Sequence, residues 1–247
     1  MFAHRGASGV LPEHTLAAYE QALADGADGV ECDVRLTRDG HLVCLHDRRL
    51  DRTSNGRGLV SEHTLAELER LDFGSWRGTG PARVLTLDRL LHTVRDAGRP
   101  VRVLIETKHP NRYGGLVERR LVELLRRHRL VDPADGAPVQ VTVMSFSPLA
   151  LRRVRRWAPA LPTVQLVDLL LPRTRLGRLP FGTRIAGPSI RLLRSRPNVL
   201  STLREAGHQV YVWTVNCPTD LALVRRMGVD GVITDYPAET LAALDRG

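Results

Sequence analysis

Eight short apolar runs, at residues 2–4, 29–36, 101–106, 140–145, 163–167, 184–186, 210–215 and 231–234, read as strands. Stretches with helical spacing alternate with them, at about 15–24, 86–97, 114–129, 148–157, 197–206, 218–227 and 237–245. Such alternation is the pattern of parallel α/β architecture, because parallel strands need long crossovers that helices supply. A ninth run, 41–45, is separated from the second strand only by Arg38-Asp39-Gly40, far too short for a parallel crossover. It must fold back as a hairpin, which leaves eight parallel strands and predicts a closed (β/α)8 barrel. A length of 247 residues is ordinary for that fold.

Residues 47–85 interrupt the repeat with two turn-rich stretches, 53–58 and 74–78, and a helix predicted at about 62–70. This segment is too small to bury a core of its own. It reads as an insertion after the second strand, within one domain covering 1–247.

The net charge of +9 and pI near 10.5 favour anionic partners: phosphate compounds, a membrane surface or nucleic acid. Almost all of the basic residues are arginine, and Lys108 is the only lysine. A lone lysine two residues after Glu106 suggests a site where a compact ammonium on a flexible stem cannot be replaced by a planar fork. The three cysteines (Cys32, Cys44, Cys217) match no zinc spacing and read as buried thiols in a reducing compartment. A strand begins within a residue or two of Met1 and no apolar run reaches spanning length, so a soluble, cytoplasmic protein is expected.

Chemistry concentrates at strand ends. Glu31 and Asp33 are two apart on one strand, so both point to the same face, into the barrel, while Val30, Cys32 and Val34 take the other. Two like charges in a low-dielectric site need compensation, which a divalent cation supplies most simply. Glu106, at the end of the next strand, becomes a third oxygen ligand for a hard cation. His4 and His46 approach the same cluster from two sides. One could deprotonate an attacking hydroxyl while the other protonates a departing alkoxide. Asp47 either fixes the tautomer of His46 or caps the following turn. With Arg5 and Lys108 as cations, the set is what hydrolysis of a phosphate diester needs. A nucleic-acid or phosphoinositide binder has no need of His4, Glu31, Asp33, His46 and Glu106 together, and no aromatic-studded basic groove suits single strands.

Across nearly its full length the chain resembles the glycerophosphodiester phosphodiesterases. The matching stretches are Ala3-His4-Arg5-Gly6, Pro12-Glu13-His14-Thr15, residues 26–34, Thr37-Arg38-Asp39-Gly40, His46-Asp47, Glu106-Thr107-Lys108, Ser145-Phe146, residues 212–216 and residues 228–237, in that order. The resemblance implies a metal-dependent hydrolase that releases glycerol 3-phosphate and an alcohol. It implies His4 and His46 as acid and base, and Glu31, Asp33 and Glu106 as ligands to magnesium or calcium. Arg5 and Lys108 would contact the phosphate, and Trp213 would line the glycerol end. The neighbouring glycerol hydroxyl would attack first, giving a cyclic phosphate that water opens. His14 stands where the family typically has asparagine, a better helix cap, so Thr15 or Glu13 is expected to compensate. Thr107 replaces a usual aliphatic and is expected to face away from the barrel.

Arginine clusters at 126–127, 152–156 and 191–196 read as solvated helix exterior. The segment 169–181, after the fifth strand, mixes leucines with arginines and offers a peripheral contact with anionic lipid. That contact supports the alternative activity, lysophospholipase D or phospholipase action on membrane lipids.

Overall fold

The computed structural model describes residues 1–132, 136–169 and 177–245. Its strands are β1 (Phe2–His4), β2 (Gly29–Leu36), β3 (Leu42–Cys44), β4 (Val101–Thr107), β5 (Val139–Ser145), β6 (Thr163–Val167), β7 (Ile185–Pro188), β8 (Gln209–Val212) and β9 (Gly231–Thr234). Their order is β1-β9-β8-β7-β6-β5-β4-β2, and β1 also pairs with β2, which closes the ring. Every pairing around the ring is parallel, and only β3 is antiparallel, folded back on β2. This is the (β/α)8 barrel with its early hairpin.

Residue parity explains how the barrel fills. Val30, Cys32 and Val34 of β2 and Val101, Val103 and Ile105 of β4 pack outward against helices in one large cluster. Phe2, Leu104, Met144, Val164, Leu166, Ile185, Tyr211 and Ile233 form a separate cluster, the plug of the barrel interior. Burying a large apolar side chain stabilises by about 1.5–3 kcal/mol, so this plug anchors all the strands it joins. Gly29 stands at the inward position beside Phe2, where a Cβ would meet the Phe2 ring at 2.6 Å and the Arg102 carbonyl oxygen at 2.5 Å. Two residues further along several strands, the inward positions turn from apolar to charged. Phe2 is followed by His4, Gly29 by Glu31 and Asp33, Leu104 by Glu106, and Ile233 by Asp235.

The insertion places its apolar side chains Leu50, Val60, Leu68 and Phe73 against Val43 and Leu45 of the hairpin region. Where one helix is expected at 62–70, a 3-10 turn (Val60–Glu62) and a four-residue helix (Leu65–Leu68) stand instead. The break falls at Thr64, whose hydroxyl accepts from Glu67 N–H while the Glu67 carboxylate takes the Thr64 N–H.

A six-residue helix, Ile190–Ser195, has no counterpart among the sequence expectations. It is too short for periodicity to reveal, and Ser189 starts it by accepting from Leu192 N–H. β8 ends at Val212 and not at 215, and Trp213 follows as a single parallel bridge to Ser189 in the register of the β7–β8 pairing. Cys32 and Cys44 are buried as expected, but Cys217 is only half-buried, with its sulfur near Thr219 and Asp220. Among the described residues no helix is long and apolar enough to cross a membrane.

Candidate active site

Strand register decides which charged groups meet. His4 pairs with Glu31 across β1 and β2, and Asp33 with Glu106 across β2 and β4. Glu31, Asp33 and Glu106 are all buried and offer oxygens within 4.8 Å of one another. An all-oxygen, triply acidic set suits a hard divalent cation. The electrostatics agree. Burial, followed by the charge of Asp33, pushes Glu31 well above the usual carboxylate range. The same two causes raise Glu106 to about 8 against the pull of Lys108. For Asp33, Lys108, Arg5 and His14 together outweigh burial and hold it well below its ordinary value. The cluster thus carries more acid than its own cations can neutralise, and a divalent ion between the oxygens would allow all three to ionise.

Lys108 Nζ lies 2.8 Å from Glu106 Oε1 and 3.3 Å from Asp33 Oδ1. Arg5 sits in a tight turn, with φ of +56°, followed by Gly6 at +81°; a Cβ on Gly6 would meet the Ala18 backbone carbon at 2.6 Å. That turn brings Arg5 back over the cluster. Its N–H donates to Glu31 Oε2 at 3.1 Å, its Nη1 reaches Glu13 at 3.0 Å, and its Nε lies 3.1 Å from Asp33 Oδ2. The Nε contact is an ion pair without hydrogen-bond alignment, so this buried donor is unsatisfied.

Both predicted histidines are backed by a carboxylate. His4 Nδ1 is 2.6 Å from Asp235 Oδ1, and its Nε2 is 3.9 Å from Glu31 Oε2. Asp235 is itself fixed by Ser8 at 2.9 Å and Asn216 at 2.5 Å. His46 Nδ1 is 2.6 Å from Asp47 Oδ1, and Arg52 Nε donates to Asp47 at 2.7 Å. Asp47 therefore orients His46, which the sequence left open against a turn cap. Burial, with repulsion from Arg5 and Lys108, lowers His46 to about 4 against the attraction of Asp33. It is a neutral imidazole at physiological pH, suited to accept a proton. Arg35, inward-facing two residues beyond Asp33, holds the His46 carbonyl through Nε at 2.8 Å and Nη2 at 2.5 Å.

Trp213 rises at the end of β8. Its Nε1 donates to Gly187 O at 2.6 Å, and its ring meets Phe146 edge-on with centroids 5.4 Å apart. Glu31 and Asp33 thus lie within β2, and every other residue proposed for the site comes from a strand end or the loop just beyond it.

The helix cap is made up as expected, and His14 serves elsewhere. Thr15, not His14, caps the helix Leu16–Ala24 by accepting from Ala18 N–H. His14 is buried, with Nε2 2.9 Å from Asp33 Oδ2 and Nδ1 2.8 Å from the Tyr19 hydroxyl. Thr107 is buried on the outward parity, away from the cluster. Asp235, Arg35 and Arg52 have no role in the sequence reading, and Glu13 only a capping one. Inward parity from Ile233 and from Asp33 was the available signal for the first two. Of the segment 169–181, Leu169 is 77% exposed and Phe181 is 42% exposed beneath Arg152. Residues 170–176, the centre of the expected lipid contact, lie outside the described residues.

A barrel with imidazoles and cations gathered over buried carboxylates at the C-terminal ends of its strands is an enzyme frame, and its charge suits a phosphate ester. Comparison with known proteins narrows the class. The chain belongs to the glycerophosphoryl diester phosphodiesterase family, whose profile matches residues 4–239. It is 48% identical to a protein of Mycobacterium tuberculosis described as a probable glycerophosphodiester phosphodiesterase 1, over 99% of this chain and 92% of the relative. A glycerophosphodiester phosphodiesterase of Bacillus subtilis is 37% identical over 95% of this chain and 83% of its own length. Among solved structures, a phosphodiesterase of Oleispira antarctica in complex with the product sn-glycerol-3-phosphate superposes with a TM-score of 0.84. It shares 28% identity and covers 99% of this chain and 96% of that one.

Proposed function

We propose that this protein hydrolyses glycerophosphodiesters to glycerol 3-phosphate and an alcohol, with the help of a divalent cation, magnesium or calcium. The observation that carries the reading is the meeting of Glu31, Asp33 and Glu106 between two carboxylate-backed histidines. Glu31, Asp33 and Glu106 would hold the cation, which when bound supplies positive charge to the phosphoryl oxygens. Lys108 and Arg5 bind the same oxygens; the unsatisfied Arg5 Nε is a donor in waiting. The glycerol end lies against Trp213 and Phe146.

The glycerol hydroxyl next to the phosphate gives its proton to one imidazole and attacks phosphorus. The P–O bond to the departing alcohol breaks, and the other histidine protonates the leaving oxygen. Water then opens the cyclic phosphate with the proton roles reversed. Asp235 and Asp47 accept from Nδ1 of His4 and His46, leaving each Nε2 to exchange protons. The test is an assay of purified protein against a panel of glycerophosphodiesters, with chelator and with added magnesium or calcium. The expected result is glycerol 3-phosphate release that stops with chelator and returns with one of the two ions. Chelator-resistant turnover would remove the metal, and the absence of turnover on every diester would remove the function.

A further inference from the structure

The insertion reaches back over the mouth through Arg52, whose guanidinium grips two carboxylates on two of its edges. Nη1 and Nη2 donate to the two Glu13 oxygens at 2.7 and 2.8 Å, and Nε and Nη2 donate to the two Asp47 oxygens at 2.7 and 3.3 Å. Isolated surface ion pairs contribute little, but bidentate pairs joined in a network are the exception. The Glu13 side chain is only 12% exposed, so the contact is not a loose surface pair. Burial would raise both carboxyls, but the Arg52 hydrogen bond is the largest of the contacts that bring each down to about 2. Both acids are therefore charged throughout the neutral range. Further along the insertion, Arg77 fastens to the Gly9 carbonyl oxygen, so the loop after β1 is held at a second point.

Both ends of this chain of contacts are groups of the proposed reaction. Glu13 Oε1 accepts from Arg5 Nη1 at 3.0 Å, and Asp47 Oδ1 lies 2.6 Å from His46 Nδ1. Arg5, Glu13, Arg52, Asp47 and His46 thus run unbroken from a phosphate-binding cation to a proton-carrying imidazole. Glu13 belongs to the loop after β1 and Asp47 to the start of the insertion, and Arg52 bridges the two. We propose that Arg52 is a positioning residue that sets the His46 ring against the phosphate held by Arg5, and that the insertion serves the reaction through it. This inference rests on the proposed diesterase reaction. A lysine would carry the charge but has no second edge, so it cannot hold both acids at once.

The test compares Arg52→Gln, Arg52→Lys, Asp47→Asn and the double variant Arg52→Gln with Asp47→Asn, on glycerophosphoglycerol at saturating metal, below each protein's melting temperature. Misplacing a reacting group by about 1 Å can cost about 100-fold, so Arg52→Gln is expected to lower kcat by about 10–100-fold and to change KM by less than about threefold. Arg52→Lys should lose kcat in the same sense; should Arg52→Gln not fold, the lysine variant, which keeps the charge, carries the comparison. Because Arg52 acts through Asp47, the double variant should lose no more than the larger single loss. Nitrogen NMR of the histidine-labelled protein reads the same relation without turnover. His46 is expected to keep its proton on Nδ1 in the unaltered protein and to divide it between both nitrogens in Arg52→Gln. Unchanged kcat in both Arg52 variants, a loss confined to KM, or losses that multiply in the double variant would overturn the positioning role. So would a His46 ring identical in the unaltered protein and Arg52→Gln. Failure of the unaltered protein to cleave any diester overturns the diesterase reading instead, and the His46 spectra still decide whether Arg52 orients the ring.

Discussion

His14 Nε2 lies 2.9 Å from Asp33 Oδ2, and the Tyr19 hydroxyl lies 2.8 Å from the other ring nitrogen and 3.2 Å from the Glu31 carbonyl oxygen. One buried imidazole therefore ties a loop and a helix to the two acids of β2. Burial, opposed by the Asp33 hydrogen bond, lowers the His14 pKa, so the ring is neutral and donates one hydrogen bond to the carboxylate. Partners of this kind behind a metal ligand change metal affinity or activity by about 10–100-fold when removed. His14→Ala is expected to weaken metal binding by about that range and to cost about 1–3 kcal/mol in stability. His14→Asn, which can still donate to Asp33, should lose less. Calorimetric titration with magnesium or calcium checks both, and equal affinity in His14→Ala would separate His14 from the metal site.

Asp235 orients His4 while making no contact of its own with the acidic cluster. Asp235→Asn replaces an acceptor at Nδ1 with an amide and removes the negative charge beside the ring. A loss of about 100-fold or more in kcat is expected, in the range usual for general acid–base groups. KM and metal affinity should change little. A loss seen mainly in KM would make Asp235 a substrate-binding or structural residue.

The lone lysine is answered by its contacts. Lys108 Nζ reaches Glu106 and Asp33 at once, at 2.8 and 3.3 Å, from a largely buried position. Burial disfavours its charge, but Asp33 and Glu106 reverse that and raise its pKa. A guanidinium is wider and cannot occupy the same point. Lys108→Arg is therefore expected to lower kcat/KM by at least about tenfold, equivalent to one misplaced charged hydrogen bond. Steady-state kinetics at saturating metal measure it, and turnover at the unaltered level would mean that the ammonium has no role of its own.

Metal binding should release protons. With Glu106 near 8 and Glu31 also raised, the free cluster is partly protonated at pH 7, and a cation must displace that hydrogen. A raised carboxyl pKa contributes stability fully below its unfolded value of 4.5, and loses it as pH climbs through about 8. The metal-free protein should therefore lose this contribution between those values, and added cation should restore stability at the alkaline end. Calorimetry in buffers of different ionisation enthalpy should show at least about one proton released per ion near neutrality. No dependence on buffer would mean that the three acids are already ionised or hold no ion.

The barrel is legible in the sequence because a fully buried parallel strand leaves a near-continuous apolar run and its crossover helix an equally regular stripe. The short gap around Arg38-Asp39-Gly40 forces the hairpin on steric grounds alone, and β3 is antiparallel to β2 as it must be. Period-two parity brings Glu31, Asp33 and Glu106 together before any coordinates are known. What the sequence hides is contact made by turns. His14 reaches Asp33 from a backbone at φ of +61°, a conformation that no periodicity signals. Arg52 meets Glu13 and Asp47 at 2.7 Å only because the insertion folds over the mouth. The helix Ile190–Ser195 and the early end of β8 at Val212 belong to the same class, short features set by tertiary contact.

The account stands on a cation held by Glu31, Asp33 and Glu106. Crystals grown with manganese, examined at a wavelength where that metal scatters anomalously, locate it without reference to activity. The predicted result is one strong peak among the three carboxylates, within coordination distance of each and reduced in Glu106→Gln. A peak instead at Asp88, His92 and His128, the other group among the described residues able to hold an ion, with none among the three acids, would contradict the account.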